Sequence, residues 1–147
     1  MSLKKINLDG DLLGLDFGDS RTGVARIHPV ARISEPLSPI VLKGDVILVE
    51  EVAELIRRYN PSALVIGLPR GLDGQETEQT KKVEKFAKQM EDIKTGVPLY
   101  LVDEAGTTKE AELRVKKGES VDSVAACIIL ETFVSEVERG RIADVTF

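Results

Sequence analysis

Leu12-Leu13-Gly14-Leu15-Asp16-Phe17-Gly18-Asp19-Ser20-Arg21-Thr22-Gly23-Val24-Ala25-Arg26-Ile27 is the stretch on which the fold turns. Its first six residues form an apolar run interrupted only by Gly14 and Asp16, and the run exits into glycine. That pattern reads as a buried strand followed by a tight turn. Val24-Ala25-Arg26-Ile27 and Val30-Ala31-Arg32-Ile33, on either side of His28-Pro29, read as two further strands of a meander. From Asp45 the period changes. Leu48, Val52, Leu55, Ile56 and Tyr59 recur at helical spacing, Asp45 is placed to cap the start, and Asn60-Pro61 stops the helix.

Beyond Pro61 the elements alternate. A short apolar strand over 63–66 runs into Gly67-Leu68-Pro69, and a polar loop follows through Gly71 and Gly74. Val83, Phe86, Ala87 and Met90 then mark one helix face, with Lys81, Lys82, Lys85 and Lys88 on the other. A lysine-rich outer face of this kind serves either as a guide for a polyanion or simply as a solvated surface. A strand over 98–102 ends at Asp103-Glu104, a short helix follows Thr107-Thr108, and a last helix starts near Ser120. The order βββαβαβαα predicts an α/β fold, a mixed sheet covered by helices, in one domain spanning residues 1–147.

The rare residues exclude whole classes of chemistry. The chain has 147 residues, with one His, one Cys, no Trp, two Tyr and four Phe. A single Cys excludes an internal disulfide framework and a Cys-cluster zinc site, and it suggests a reducing compartment. A single His excludes a multi-His metal centre, and the sparse aromatics argue against a base-stacking platform. His28 reads as a surface loop residue, and Cys127 as a small buried hydrophobe of the last helix. Asp and Glu number 25 against 20 Lys and Arg, for a net charge of −5, so no global basic field gathers polyanions. No apolar run approaches the roughly 20 residues of a membrane span and none resembles a signal peptide, so the cytoplasm is the expected location.

Carboxylates remain as the available catalytic groups. In open α/β sheets, sites gather outside the carboxyl ends of the parallel strands. Asp16 interrupts a strand that is otherwise apolar, and a lone buried carboxylate is costly unless paired or metal-bound. Turn amides around Gly18 are the alternative way to satisfy it. Glu104, with Asp103 before it, follows a strand, where acids are also ordinary loop residues. Asp122 lies in the first turn of the last helix, where an acid meets the helix dipole favourably. Together the three acids form a set able to hold one or two Mg2+ ions, hard cations that bind through few carboxylates and substrate phosphate. Two such ions roughly 4 Å apart activate water and stabilise a leaving oxygen in phosphodiester cleavage, with no need of His or Cys. The turn Gly18-Asp19-Ser20-Arg21-Thr22-Gly23 reads either as a phosphate cradle with Arg21 as a clamp or as a plain β-turn. Neither a P-loop nor a dinucleotide-binding glycine motif is present.

Four blocks of the chain resemble the YqgF/RuvX family. Gly14-Leu15-Asp16-Phe17-Gly18 through Arg21 and Gly23-Val24-Ala25 is similar to its opening strand and turn. Val65-Ile66-Gly67-Leu68-Pro69 with Asp73-Gly74 resembles the second block, and Val102-Asp103-Glu104 with Thr107-Thr108 and Ala111 the third. Val121-Asp122 with Ala125-Ala126 and Ile129-Leu130 resembles the fourth. The resemblance implies an RNase H-like fold with a five-stranded mixed sheet. It also implies a bacterial cytoplasmic nuclease, using Mg2+ or Mn2+, that acts in 5′-end maturation of pre-16S rRNA. A Holliday-junction resolvase is the alternative substrate class. Carried onto this sequence, the acidic site falls on Asp16, Glu104 and Asp122 as catalytic residues and metal ligands. Arg21, Ser20, Thr107 and Thr108 would face substrate phosphate, with Gly18 and Asp103 in support.

Two features depart from the family pattern. Ala105 and Gly106 stand where the family has Arg and a bulky apolar residue, which removes a cation from the expected site. The segment between Thr108 and Val121 is shorter and, beyond Lys109, keeps only Arg114, Lys116 and Lys117 as basic residues. These departures motivate a second reading, a nucleic-acid-binding scaffold without catalysis. A third, an actin/hexokinase-like ATPase, requires two such domains, and this length supplies one.

Overall fold

The sheet grows outward from the strand that the apolar run predicts. A computed structural model describes residues 6–18, 20–44, 46–69, 78–104 and 107–140, without the side chains of Pro69, Glu104, Thr107 and Thr108. Within these, the elements are β1 (Leu12–Phe17), β2 (Arg21–Ile27), β3 (Ser34–Val41), α1 (Leu48–Tyr59), β4 (Ala63–Pro69), α2 (Glu78–Asp92), β5 (Leu99–Glu104), α3 (Thr107–Arg114) and α4 (Val121–Glu138). The strands form one five-stranded sheet in the order β3-β2-β1-β4-β5. β2 runs antiparallel to both β1 and β3, whereas β4 is parallel to both β1 and β5. The α/β architecture with a mixed five-stranded sheet is therefore as expected. Because β1, β4 and β5 point the same way, their carboxyl ends share one edge of the sheet.

β1 is central and covered on both faces, which is why it reads as a continuous apolar run. Leu13 and Leu15 pack with Val24, Leu64 and Ile66 against α1 and α2, through Val52, Ile56, Val83, Phe86 and Met90. Leu12 packs with Ala25, Val65, Tyr100 and Val102 against α4, through Ala126, Ile129, Leu130 and Phe133. α4 is itself covered on its far side by α3, where Ala111 meets Val124, Ala125 and Ile128. A helix held between a sheet and another helix is apolar all round, as the unbroken run 124–130 shows.

Two glycines set how closely α4 approaches the sheet. A Cβ on Gly14 would lie 2.6 Å from Leu130 Cγ and 3.0 Å from the carbonyl oxygen of Ala126. A Cβ on Gly23 would lie 2.0 Å from the carbonyl oxygen of Asp122, a backbone atom that cannot rotate away. The β2–β3 register shifts at this level, where Thr22 pairs with Ile40 but Val24 with Leu37, so β3 carries one extra residue. The Val24 N–H donates there to the buried Ser123 hydroxyl at 3.1 Å. Ser120 caps α4, its side chain accepting from Ser123 N–H at 3.4 Å. The first turn of α4 is thus keyed onto β2.

Two expectations are corrected. The third strand is not at Val30-Ala31-Arg32-Ile33, which lies in the connection between β2 and β3, with Arg32 at φ +58° and Val30 and Ile33 exposed. Those apolar residues belong to a turn, and the strand begins at Ser34. β3 is an edge strand containing Pro36 and Pro39, and proline is tolerated there because an edge N–H needs no ladder partner. The N-cap position of α1 is Ile47, without a side-chain cap, rather than Asp45, which lies outside the described residues. The loop through Gly71 and Gly74 also lies outside them. Asn60 ends α1 in the left-handed conformation at φ +45°, as a C-cap does. His28 sits at the turn, its Nδ1 accepting from the Val30 N–H at 3.1 Å, and Cys127 is buried, both as expected.

One polar cluster ties the edge strand to the helical layer. Arg114 of α3 donates to both Glu131 carboxylate oxygens at 2.8 Å, and the Ser34 hydroxyl donates to Glu131 at 2.6 Å. These bonds, Arg114 first, hold the Glu131 carboxyl below its ordinary value of 4.5. A depressed carboxyl contributes stability above its unfolded pKa and loses it as pH falls through the folded value. Glu131→Gln is accordingly expected to cost about 1 kcal/mol near neutral pH. The gap to the wild type should narrow as pH falls below 4.5 and close once the folded-state carboxyl is protonated, as measured by urea denaturation across pH. In the same assay Gly23→Ala is expected to destabilise the fold by about 2 kcal/mol or more, since backbone must move.

Candidate functional site

The exit of β1 is gripped from both sides, and this fixes Asp16. On the α1/α2 face, the Phe17 ring meets Phe86 edge-on, with centroids 4.9 Å apart and planes at 79°. Gln79, in the first turn of α2, donates through Nε2 to the Phe17 carbonyl oxygen at 2.8 Å. Leu15, on the other side of Asp16, is fully buried. Strand alternation puts Asp16 on the opposite face, two residues beyond Gly14 and toward the start of α4. It is half-buried there.

Asp122 arrives at the same place from the far end of the chain. Asp16 and Gly23 are directly paired residues of β1 and β2, which places their Cα atoms about 5 Å apart. The Asp122 backbone rests on Gly23, and the Asp122 carboxylate Oδ1 lies 3.8 Å from where a Gly18 Cβ would stand. Asp122 therefore overhangs the β1 exit, seated on the residue that pairs with Asp16. The turn between them is closed by the Gly18 N–H donating to the Arg21 carbonyl at 2.9 Å. A Cβ on Gly18 would lie 2.6 Å from that same oxygen, so the turn requires glycine. The Ser20 carbonyl accepts from the Leu42 N–H at 2.9 Å, bracing the turn against the end of β3.

Arg21 completes the corner. Its Nε lies 3.7 Å from Asp122 Oδ2, and both side chains are partly exposed, at 52% and 36%. The residue expected to clamp phosphate thus has a carboxylate partner of its own.

The other expected residues fall on the same edge by their backbone. Leu15, Ile66 and Leu101 lie at one level across β1, β4 and β5. Glu104 closes β5 three residues past that level, with β4 between it and β1. Asp103 pairs with Leu68 and is exposed. Thr107 and Thr108 open α3 directly after this edge. The side chains of Glu104, Thr107 and Thr108, and the whole of Ala105 and Gly106, lie outside the described residues. Among the described residues no three His, Cys, Asp or Glu side chains form a metal-holding group. The structure brings together Asp16, Asp122, Arg21 and Gly18, and it places the end of β5 on the same edge.

Three features of this corner are absent from the sequence reading. The Gln79 hook on Phe17 has no sequence signal, since the two are distant in the chain. Ser123 carries no signal of its own, and its bond to Val24 depends on the irregularity between β2 and β3. The Arg21–Asp122 pair follows from the seating of α4, which spacing does not reveal.

Known proteins share both the sequence and the fold. A Legionella pneumophila protein named "Putative pre-16S rRNA nuclease" is 37% identical over 138 residues, covering 88% of this chain and 98% of its own. A Francisella tularensis protein of the same name is 33% identical over 132 residues, covering 85% and 96%. Among solved structures, Thermus thermophilus RuvC superposes with a TM-score of 0.61 at 15% identity, covering 93% of this chain and 99% of that one. The fowlpox virus Holliday junction resolvase superposes with a TM-score of 0.51 at 11% identity, covering 86% and 97%. These likenesses establish the RNase H-like architecture expected from the resemblance. Residues 10–136 match the family model described as "RuvX: Holliday junction resolvase", and this chain belongs to the RuvX family.

Proposed function

We propose that this chain, as one domain, is a divalent-cation-dependent nuclease of the cytoplasm that hydrolyses phosphodiester bonds at the 5′ end of pre-16S rRNA. The observation that carries this reading is the meeting of Asp16 and Asp122 at the carboxyl edge of the parallel strands, beside the end of β5. The relatives named as pre-16S rRNA nucleases support the substrate class.

Mg2+ or Mn2+ fits the donor chemistry of this corner. Its described donors are carboxylate oxygens, the ligands that hard cations take, and Mg2+ binds through one or two carboxylates with water and phosphate filling the rest. The only His and the only Cys of the chain lie elsewhere, at the β2–β3 turn and in the core. Asp16, Glu104 and Asp122 are the proposed ligands. When bound, the cations supply activation of the attacking water and stabilisation of the leaving oxygen.

The protein's own residues do the rest. The Phe17–Phe86 contact and the Gln79 hook hold the strand that carries Asp16, so its carboxylate needs little reorganisation on binding. The first turn of α4 adds the positive end of a helix dipole near the phosphate. Arg21, Ser20, Thr107 and Thr108 are the proposed phosphate contacts, with Gly18 shaping the turn and Asp103 next to Glu104. Lys81, at the start of α2, lies 3.7 Å from Glu78 in an exposed pair. Among the described residues no helix is long and apolar enough to cross a membrane.

A second substrate reading, the four-way DNA junction, is favoured by the description of the family model. Both are tested by offering a 5′-extended 16S precursor and a four-way DNA junction side by side with Mg2+ or Mn2+. Preferential cutting of the precursor is expected. Preferential cutting of the junction would favour the second reading, and binding without cutting of either would leave a scaffold. Asp16→Asn is expected to lower metal-dependent cleavage by at least about 100-fold, since even residues behind the ligands cost 10–100-fold. Cleavage that survives this change would overturn the site.

A further inference from the structure

The Arg21–Asp122 pair has a consequence for how the site is loaded. Arg21 lies in the turn directly after the strand bearing Asp16, and its guanidinium faces Asp122 at 3.7 Å. Asp122 also sits in the first turn of α4, where the helix dipole already favours a negative charge. Its carboxylate therefore has two positive partners without any metal. A partly exposed pair of this kind is weak, because solvent screens it and the long arginine side chain loses freedom in holding it. An incoming divalent cation carries twice the charge and no such entropy cost.

We propose that Arg21 is the resident counter-ion of this acidic corner, competing with a divalent cation for the Asp122 carboxylate. Cation loading displaces the guanidinium and frees it for a substrate phosphate. The inference rests on the metal-site reading above. It adds an order of events, in which Arg21 grips phosphate only once the corner is loaded. The bond it gives up is a charge pair and the bond it gains is another, so one side chain serves both states. Arginine suits this exchange because its planar donors fit carboxylate and phosphate alike.

The test is Mn2+ binding to the full chain without nucleic acid, read by electron paramagnetic resonance for the wild type, Arg21→Gln and Lys43→Gln. Lys43 is exposed near the same turn and controls for loss of charge alone. Arg21→Gln is expected to bind Mn2+ about threefold to fivefold tighter, the gain set by a weak exposed pair. Lys43→Gln should leave the affinity unchanged. In the wild type, Mg2+ should also shift the Arg21 Nε–H resonance, identified by its loss in Arg21→Lys, with the affinity of the site. Unchanged or weaker Mn2+ binding by Arg21→Gln would overturn the inference while leaving the metal site standing. An equal gain in both variants would also overturn it, showing a diffuse field in place of a pair. No Mn2+ binding by the wild type would overturn both the inference and the metal-site reading.

Discussion

The seating of the first turn of α4 on Gly23 is the constraint from which the rest of the corner follows. With 2.0 Å between a would-be Cβ and the Asp122 carbonyl, no other residue permits this approach without backbone movement. The register irregularity between β2 and β3 lies at the same level, and Ser123 takes the Val24 N–H there. Leaving that N–H buried and unpaired would cost about 1–3 kcal/mol. Steric fit and hydrogen bonding thus fix the helix start at one height, and that height sets Asp122 over the exit of β1. Asp122 and Asp16 meet because a helix start and a strand end are each held separately.

The forces around the corner are unequal, and the inequality has a functional meaning. The packing of α4 between the sheet and α3 buries Ala126, Ile129, Leu130 and Phe133, each apolar side chain of leucine size contributing roughly 1.5–3 kcal/mol. The Phe17–Phe86 contact adds about 1 kcal/mol beyond its buried area. The Arg21–Asp122 pair, by contrast, is worth at most about 1 kcal/mol. The scaffold is therefore firmly packed where it positions the carboxylates, and the pair that a cation would replace is a weak one.

Much of the scaffold was legible from period alone. β1 was read correctly because burial on both faces produces an apolar run, and α2 because Val83, Phe86, Ala87 and Met90 repeat at helical spacing. The signal for β3 is inverted. Val30 and Ile33 are apolar but exposed in a turn, while the true strand contains two prolines that only an edge accommodates. The start of α1 carries no local signal either, since Ile47 provides no side-chain cap. Asp16 stood out as an acid in an apolar strand. Its grouping with Asp122 was expected from the three acids taken together, but the way the two are brought close, through Gly23 and a register shift, is encoded in no local pattern.

In the proposed site Asp16, Glu104 and Asp122 surround a divalent cation at the carboxyl edge of the sheet. Crystals of the full chain soaked in Mn2+ test it directly, through anomalous difference density collected at the manganese edge. A peak between the Asp16 and Asp122 carboxylates, with Glu104 oxygens in its coordination sphere, is the expected result. A crystal with no peak at that corner, or with manganese bound only elsewhere on the surface, would contradict it.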